Sequence, residues 1–399
     1  MTKSKNLNVG LVGTQFMGRA HANAYLKVGR FFDLPLQPVM HTAAGRDPGR
    51  TQAFADRWGW ANTTTRWQDM VESDAIDLID ICTPNNLHKD IALAALEAGK
   101  HVACEKPLSA TLDEAREMRD AAKKAKRSSK AQTFVWFSYR GCPALALARQ
   151  LVQDGKIGQV YHVRANYLQG WGGPATPLVW RFRKEFAGSG AHGDLNAHSI
   201  DAARFVTGEE ITEVSGAIEE TFIKQRELPG DEGGNIRGKG GAAKKKGKVT
   251  VDDTVMFLAR FKGGAAASFE ATRLAIGCQN ENKLEVHGEK GAIRWNFEDM
   301  NVLWYYNAQG DAETNGWQRI MVTDADHHPF AHAWWPDAHI LGYEHGFINL
   351  ASTMFNQIGG GKLEVPMADF EDAYQTQRVL EAATLSARNR APVKISEVK

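Results

Sequence analysis

Residues 6–18 read Asn-Leu-Asn-Val-Gly-Leu-Val-Gly-Thr-Gln-Phe-Met-Gly, a short apolar run followed at once by a loop bounded by glycines. The run predicts a buried strand over residues 6–12, with a helix beginning just after it. Gly13 suits the tight turn, and Gly18 allows the helix to pack closely on the sheet. Gln15 replaces the middle glycine of the usual G-x-G-x-x-G pattern, so the loop alone is a weak sign of dinucleotide binding. Its backbone amides can still point at a phosphate from a helix N-terminus. The candidate cofactor contacts are Gly13, Thr14, Gln15, Phe16, Met17 and Gly18.

Strand and helix patterns alternate through the rest of the first third of the chain, with short connections. Further strands are predicted at residues 38–44, 75–82, 100–104 and 131–136, and helices between them, including 87–98 and 111–126. This alternation predicts a parallel sheet covered on both faces, an α/β arrangement that binds ligands at the carboxyl ends of its strands.

Three of those strand ends carry candidate cofactor contacts. After the second strand, an acidic residue would normally bind the adenosine ribose, but the chain has Arg46, which leaves both NAD and NADP open, with NAD favoured. A polar loop follows the strand predicted at 75–82, and a Glu-Lys-Pro sequence follows the one predicted at 100–104. A lysine in such a position is more often only exposed to solvent than bound to a cofactor. The candidates are Cys82, Thr83, Pro84, Asn85, His88, Glu105 and Lys106.

A second informative stretch, residues 188–201, reads Gly-Ser-Gly-Ala-His-Gly-Asp-Leu-Asn-Ala-His-Ser-Ile-Asp. Asp194 and His198 are four residues apart, so on a helix their side chains share one face. A carboxylate beside an imidazole suits proton transfer near neutral pH. Taken alone, the stretch fits better a capped helix with a surface aspartate and a core histidine.

Composition restricts the class of protein. The 399 residues carry a formal net charge of +1, which argues against nucleic-acid and anionic-membrane partners. No apolar run is long enough to span a bilayer, and the N-terminus lacks the pattern of an export signal. The four cysteines show neither disulfide nor metal spacing, and a cytoplasmic protein without a metal is expected.

Together, residues 13–21, Cys82-Thr-Pro-Asn85 with His88, Glu105-Lys-Pro107, and Gly193-Asp-x-x-x-His198 resemble the glucose–fructose oxidoreductase/inositol dehydrogenase/MocA-like family. The resemblance covers nearly the whole chain. Within the family, the chain is most similar to members acting on sugars and glycosides, including levoglucosan-type dehydrogenases. The resemblance implies an NAD(P)-dependent dehydrogenase that oxidises a carbinol of a sugar, inositol or glycoside, including C3 of a glycoside or anhydrosugar.

The resemblance also assigns roles by position. Lys106 matches a lysine that contacts nicotinamide ribose and substrate, and Asp194 and His198 match the catalytic pair. More loosely matched substrate contacts are Tyr139, Gln169, Arg181 and Tyr343. Besides Gln15, the departures from the family pattern are His192 and Asn196, which flank the catalytic pair and suggest altered substrate choice.

The resemblance implies a Rossmann domain over residues 1–138 and an α+β substrate-binding and oligomerisation domain over 139–399. The second domain should contain a large, mainly antiparallel open sheet, because alternating strand patterns follow one another with Gly-rich turns. These patterns lie at residues 159–168, 211–221, 251–261, 265–272, 282–287, 291–296 and 301–306. The resemblance implies that one face of this sheet meets a partner subunit in a homodimer or homotetramer.

Two features of the second domain have competing interpretations. The Gly- and Lys-rich insertion 225–248 is interpreted as a mobile hairpin tip. The alternative is a segment that binds phosphate or nucleic acid, against which the lack of aromatic residues in its basic run argues. Five histidines between 327 and 345 lack metal-site spacing, and the loop 332–345 is expected to line a sugar pocket, although core packing of its tryptophans is comparably plausible. The last helix, expected at 369–388, is placed where it can pack back toward the first domain.

Two rival functions stay open on the sequence alone. One is redox-neutral cleavage or epimerisation of a glycoside through a transient keto-sugar, with the cofactor recycled. The other is a non-enzymatic sensor of sugars or nucleotides, against which the presence of Lys106, Asp194 and His198 together argues.

Overall fold

The computed structural model describes residues 5–229 and 245–398. Their contacts divide the chain into two compact units. The first contains Met1–Ser109, Asp113–Pro143 and Thr323–Tyr374, and the second contains Ala110–Leu112, Ala144–Val322 and Gln375–Lys399. The segment 323–374, which the sequence analysis placed in the second domain, is therefore grouped with the first unit.

Ten α-helices occur in the described residues. They are α1 (Phe16–Phe31), α2 (Pro48–Trp58), α3 (Trp67–Glu72), α4 (His88–Glu97), α5 (Leu112–Ser128), α6 (Pro143–Gln153), α7 (Lys184–Ala187), α8 (Ala197–Thr207), α9 (Tyr343–Gly359) and α10 (Phe370–Asn389). A π-helical turn, His192–Asn196, leads directly into α8. Among the described residues, no helix has both the length and the apolar character needed to cross a bilayer.

The first unit is built on a six-stranded parallel sheet. Its strands are β1 (Lys5–Val12), β2 (Leu36–Ala44), β3 (Asn62–Thr64), β4 (Leu78–Ile81), β5 (His101–Cys104) and β6 (Thr133–Val135), in the spatial order β3-β2-β1-β4-β5-β6. Every pairing is parallel. The order reverses between β1 and β4, and ligands bind beside such a reversal at the carboxyl ends of the strands. The predicted Rossmann arrangement is confirmed.

The second unit is built on a nine-stranded sheet. Its strands are β7 (Val160–Leu168), β8 (Ile211–Glu220), β11 (Thr254–Phe261), β12 (Ala266–Thr272), β13 (Glu281–Gly288), β14 (Gly291–Asn296), β15 (Val302–Asn307), β16 (Trp317–Met321) and β17 (Val393–Lys394). They lie in the order β16-β15-β14-β13-β7-β12-β11-β8-β17, and only the β7–β12 pair is parallel. The mainly antiparallel sheet predicted from the sequence is confirmed, and α8 packs against β7 and β13.

The predicted insertion begins and ends in a short hairpin. Strand β9 (Gln225–Glu227) pairs with β10 (Lys246–Lys248) in an antiparallel ladder. The expected mobile tip lies outside the described residues.

Candidate functional site

The turn from β1 into α1 has no room for side chains at Gly13, in the loop, or at Gly18, in the first turns of the helix. Gly13 has a φ of +107°, and a Cβ atom there would lie 2.6 Å from the carbonyl oxygen of Cys82. A Cβ atom on Gly18 would lie 2.0 Å from the carbonyl oxygen of Gly13. The sequence therefore has glycine where strand, loop and helix approach each other most closely.

The N-terminus of α1 fits an anionic group. No side chain caps the helix at Gln15, and the first turn contains no acidic residue. Gln15 and Phe16 are exposed at this end. Backbone amides of a helix N-terminus carry partial positive charge, so the loop fits the pyrophosphate of a dinucleotide without the missing middle glycine.

A second observation on the neighbouring strand agrees with this fit. The loop after β4 holds Thr83, whose hydroxyl oxygen is buried without a hydrogen-bond partner among the described residues. Buried hydroxyls normally find a partner, so one left open at the carboxyl end of a Rossmann strand suits a ligand. Asn85 begins the short 3₁₀ turn that follows, Asn85–Leu87.

The end of β2 presents a positive charge rather than a ribose-binding carboxylate. Arg46 is exposed two residues after the end of β2. The next residue, Asp47, caps α2 by accepting the backbone N–H of Arg50 at 2.9 Å, so its carboxylate already has a role. This strand end is compatible with a stacked adenine or a 2′-phosphate.

His88 joins the two motif loops from inside the protein. Its Nε2 lies 3.0 Å from the carbonyl oxygen of Thr83, and its Nδ1 lies 3.2 Å from those of Pro107 and Leu108. Burial lowers the pKa of His88, and this effect is larger than the opposite effect of its contacts with the carbonyl oxygens. Because the ring is fully buried, His88 can act on a cofactor only through the loops that it holds.

A buried network of charged groups lies under the Glu-Lys-Pro turn. The His21 ring is 2.8 Å from Asp80 through Nδ1 and 3.0 Å from Glu105 through Nε2. Burial alone would lower the pKa of His21, but the charge and hydrogen bond of Asp80, together with those of Cys82, outweigh burial and raise that pKa well above its usual value. The second oxygen of Glu105 accepts the backbone N–H of Lys106 at 3.2 Å. The network therefore braces the turn that carries Lys106.

This network contains the one set of side chains, among the residues described, that is spaced to share a metal ion: His21, Asp80 and Cys82. Burial raises the pKa of Cys82 to about 12, so its thiol keeps its proton near neutral pH. An imidazolium that donates from both nitrogens has no lone pair for a metal. We therefore assign the set to a network of hydrogen-bonded charges.

Two of the expected substrate contacts lie in the first unit. Tyr139 is 6% exposed. Tyr343 begins α9 and stacks on Phe16, with ring centroids 6.2 Å apart. Trp334 belongs to the loop that was expected to line a sugar pocket. Its ring packs on Phe31, with ring centroids 4.4 Å apart, and its indole N–H donates to the side-chain oxygen of Asn349. For Trp334, the packing interpretation is the one the contacts support.

In the second unit, Asp194 lies in the π-helical turn and His198 in the first turn of α8. The expected helix therefore exists, but it begins with an irregular turn that the four-residue spacing did not predict. Asp252 fixes the start of this turn by accepting the backbone N–H groups of Gly190 at 2.6 Å and His192 at 2.8 Å. Such single π-helical turns are frequent at functional sites.

Asp194 has a buried partner that the sequence analysis did not identify. The Arg273 guanidinium donates to the Asp194 carboxylate at 2.7 Å. Arg273 is 1% exposed, whereas the Asp194 side chain is 27% exposed. The two residues are 79 positions apart, so no local pattern indicates the pair.

His198 is largely buried beside β7, where the Tyr167 ring lies 5.9 Å from its own ring. Tyr167 and Gln169 both donate to the side-chain oxygen of Asn280, at 2.7 and 2.6 Å. Trp171 in turn donates to Gln169 at 2.6 Å. Gln169 thus belongs to a polar chain that begins beside His198.

His192 and Asn196, expected to alter substrate choice, point into the protein. His192 is 2% exposed, and Asn196 is completely buried. His192 contacts the carbonyl oxygen of Leu380 at 2.8 Å, and Asn196 contacts His192 at 3.1 Å. They brace the turn rather than lining a surface.

The structure thus places the expected catalytic residues in both units: Lys106 in the first, Asp194 and His198 in the second. Arg181, an expected substrate contact, also lies in the second unit, where its guanidinium is 4.5 Å from the Trp180 ring.

Comparison with known proteins gives consistent results. Residues 7–131 match the oxidoreductase family with an NAD-binding Rossmann fold, and residues 145–294 match the GFO/IDH/MocA C-terminal domain. Levoglucosan dehydrogenase of Pseudarthrobacter phenanthrenivorans is 39% identical over 400 residues, which cover 99% of each chain. D-Glucoside 3-dehydrogenase of Escherichia coli is 32% identical over 51% of this chain and 55% of its own.

Solved structures agree over nearly the full length. An oxidoreductase domain protein from Kribbella flavida has 47% identity and a TM-score of 0.91, covering 98% of this chain and 99% of its own. Levoglucosan dehydrogenase in complex with NADH and levoglucosan has 38% identity and a TM-score of 0.89, covering 98% and 100%. The chain belongs to the GFO/IDH/MocA family of oxidoreductases, with an NAD-binding Rossmann fold in its N-terminal part.

Proposed function

We propose that this protein oxidises a ring carbinol of a sugar, inositol or glycoside, with an anhydrosugar of the levoglucosan type as the leading substrate class and NAD as the leading cofactor. The observation that carries the proposal is the Asp194 carboxylate, ion-paired to buried Arg273 one helical turn before the buried imidazole of His198. The full-length similarity to a levoglucosan dehydrogenase, solved with NADH, supports the substrate class and the cofactor.

The cofactor would be held by the α1 N-terminus, by the loop containing Thr83, and by the turn containing Lys106. When bound, a nicotinamide supplies the carbon that accepts the hydride. Gly13 and Gly18 allow strand, loop and helix to approach closely, because neither position has room for a side chain. The backbone amides at the start of α1 would then face the phosphates. Arg46 makes NADP worth testing beside NAD.

In the proposed mechanism, His198 accepts the proton of the substrate hydroxyl while hydride leaves the carbon that bears this hydroxyl. Asp194, kept in place by Arg273, supports the imidazolium that forms. Lys106 donates to the carbinol oxygen as negative charge develops there. A positioned general base contributes about 10²–10⁴-fold to the rate, and one well-placed donor contributes about 10²–10³-fold.

For substrate recognition we propose Gln169 and three further polar side chains. Gln169 is held by Asn280 and Trp171, which leaves its amide in a defined orientation. Arg181, Tyr139 and Tyr343 stay predicted substrate contacts.

The test is a spectrophotometric assay of the purified protein with NAD and NADP against inositols, monosaccharides, anhydrosugars and glycosides. We expect reduced cofactor to accumulate with an anhydrosugar or glycoside. Silence with every substrate and both cofactors would contradict the proposal. Product formed without accumulation of reduced cofactor would instead indicate the redox-neutral reaction.

We expect His198→Ala to lower turnover by about 10²–10⁴-fold, because the proton then has no positioned acceptor. Cofactor affinity, measured by titration of NADH fluorescence, should stay close to that of the parent. His327→Ala is the matched control, since His327 is exposed and lies outside the loop 332–345. Near-parental turnover of His198→Ala would remove His198 from its role.

We also propose that the chain forms a homodimer or homotetramer through the exposed face of its second sheet. Apolar side chains on adjacent strands of that face are exposed, among them Ile218 (56%), Met256 (38%) and Leu258 (55%). Ile218 and Met256 are directly paired across β8 and β11. A patch of this kind on a regular sheet face is typical of a protein interface.

A cytoplasmic location stays a prediction, with which the four free thiols agree.

A further inference from the structure

Arg273 contacts three parts of the second unit that carry expected site residues. It follows β12 directly, and its Nη2 donates both to the Asp194 carboxylate at 2.7 Å and to the Gly190 carbonyl at 3.2 Å. Its Nη1 donates to the carbonyl oxygen of Arg181 at 3.3 Å. One side chain thus joins the loop before the π-helical turn, the turn itself and the segment of Arg181.

The guanidinium is fixed by aromatic rings as well as by hydrogen bonds. It lies 5.3 Å from the Trp171 ring centroid and 5.7 Å from that of Phe182. Both distances are within the range of cation–π attraction. A planar group held by rings and carbonyls cannot turn away from Asp194 without breaking several contacts at once.

We propose that Arg273 is a positioning residue for the reaction: it fixes the orientation and the negative charge of Asp194 and thereby sets how readily His198 accepts a proton. The inference rests on the proposed function for its catalytic consequence. Its electrostatic part does not, because a buried positive charge next to Asp194 acts on the neighbouring imidazole whether or not a substrate is present.

The sign of the effect follows from the charges. Arg273 neutralises part of the field that Asp194 exerts, so removing the guanidinium should strengthen the attraction of Asp194 for an imidazolium at His198. The His198 ring should then hold its proton to a higher pH.

Other groups around His198 do not change between the variants. The Tyr167 ring lies beside it from β7, and the two carboxylates nearest to it in sequence are Asp194 in the π-helical turn and Asp201 in α8. The buried side chains of β13 toward α8, Asn282, Leu284 and Val286, carry no charge.

The chain offers a matched control in Arg226. Its guanidinium is also completely buried and lies 3.8 Å from the Phe182 ring centroid. Its carboxylate neighbour is Asp253, at 3.6 Å, and it donates to the carbonyl oxygens of Gly172 and Gly173. Replacing Arg226 therefore removes a buried guanidinium from the same aromatic setting without touching the contacts of Asp194.

The experiment compares Arg273→Gln and Arg273→Lys with Arg226→Gln. In the sugar assay, we expect Arg273→Gln to lower kcat by about 10–100-fold, with a smaller effect on KM. The acidic limb of the profile of kcat/KM against pH should move upward by about one pH unit. Arg273→Lys keeps the charge and should retain a near-parental profile. Arg226→Gln should lower the melting temperature without moving the limb.

A second measurement does not need turnover. Proteins labelled with ¹³C-histidine allow the His198 ring to be titrated by NMR, with His198→Ala providing the assignment. We expect its midpoint to rise in Arg273→Gln and to stay in place in Arg226→Gln.

The outcomes separate the two proposals. If the parent reduces neither cofactor with any sugar, but the titration midpoint of His198 rises in Arg273→Gln, the proposed function is overturned and the role of Arg273 is supported. An unmoved midpoint and an unmoved pH profile in Arg273→Gln would overturn the role of Arg273. If Arg273→Gln does not fold, the comparison is made between Arg273→Lys and a further variant, Arg226→Lys. An equal fall of kcat in these two variants would show that both arginines have only structural roles.

Discussion

At the scale of single residues, loss of the His21 side chain should strongly destabilise the first unit. Its imidazolium lies between two buried carboxylates, Asp80 and Glu105. His21→Gln leaves both carboxylates without a counter-charge, and removing one partner of such a group costs about 3–5 kcal/mol. We expect a clearly lower urea midpoint for His21→Gln, measured near pH 7.

The same contacts set the sign of the pH dependence. Because the folded state raises the pKa of His21, its contribution is complete below the unfolded value of about 6.5 and is lost as pH rises through the folded pKa. The parent should therefore lose stability on the alkaline side, and His21→Gln should lose less. His339→Gln, at an exposed histidine, should behave as the parent. Parallel pH curves for parent and His21→Gln would contradict the assignment.

At the scale of the element, the π-helical turn depends on Asn196. Its amide contacts Nδ1 of His192 at 3.1 Å and donates to the Val255 carbonyl at 3.3 Å. Asn196→Ala removes both contacts and should cost about 1–3 kcal/mol. Because Asp194 lies in the same turn, we also expect kcat to fall while NADH affinity stays unchanged. Thermal unfolding and steady-state kinetics measure the two effects; a stability loss with unchanged kcat would separate the turn from catalysis.

Most elements were predictable from the sequence, because buried parallel strands are continuous apolar runs and half-buried strands alternate. Those without either pattern were missed. β3 has only three polar residues, Asn62–Thr64, and β16 is mostly exposed on both faces. The π-helical turn was missed because a spacing of four residues does not distinguish it from an α-helix.

For the candidate site, the sequence indicated residues near motifs but not their distant partners. The role of Arg273 could not be recognised, because 79 positions separate it in sequence from its ion-pair partner Asp194. The placement of 323–374 in the first unit depends on similar non-local packing, such as Trp334 on Phe31. The local sequence indicated close packing at the site only through its glycines. Gly190 is an example, because a Cβ atom there would lie 1.8 Å from the carbonyl oxygen of Asp252.

At the scale of the whole molecule, the exposed face of the nine-stranded sheet is the interface that we propose for a homo-oligomer. Leu258 lies on this face, and a closed symmetric dimer buries each such residue twice. Leu258→Glu would place a carboxylate in each half of the interface, and burying an unpaired charge is far more costly than burying leucine. We therefore expect Leu258→Glu to shift the protein toward the monomer in light scattering coupled to size-exclusion chromatography. Leu26→Glu introduces the same charge at a leucine of α1 that is 51% exposed, and should leave the mass unchanged. A monomeric parent at every concentration, or equal masses for the parent and Leu258→Glu, would show that this face is not the interface.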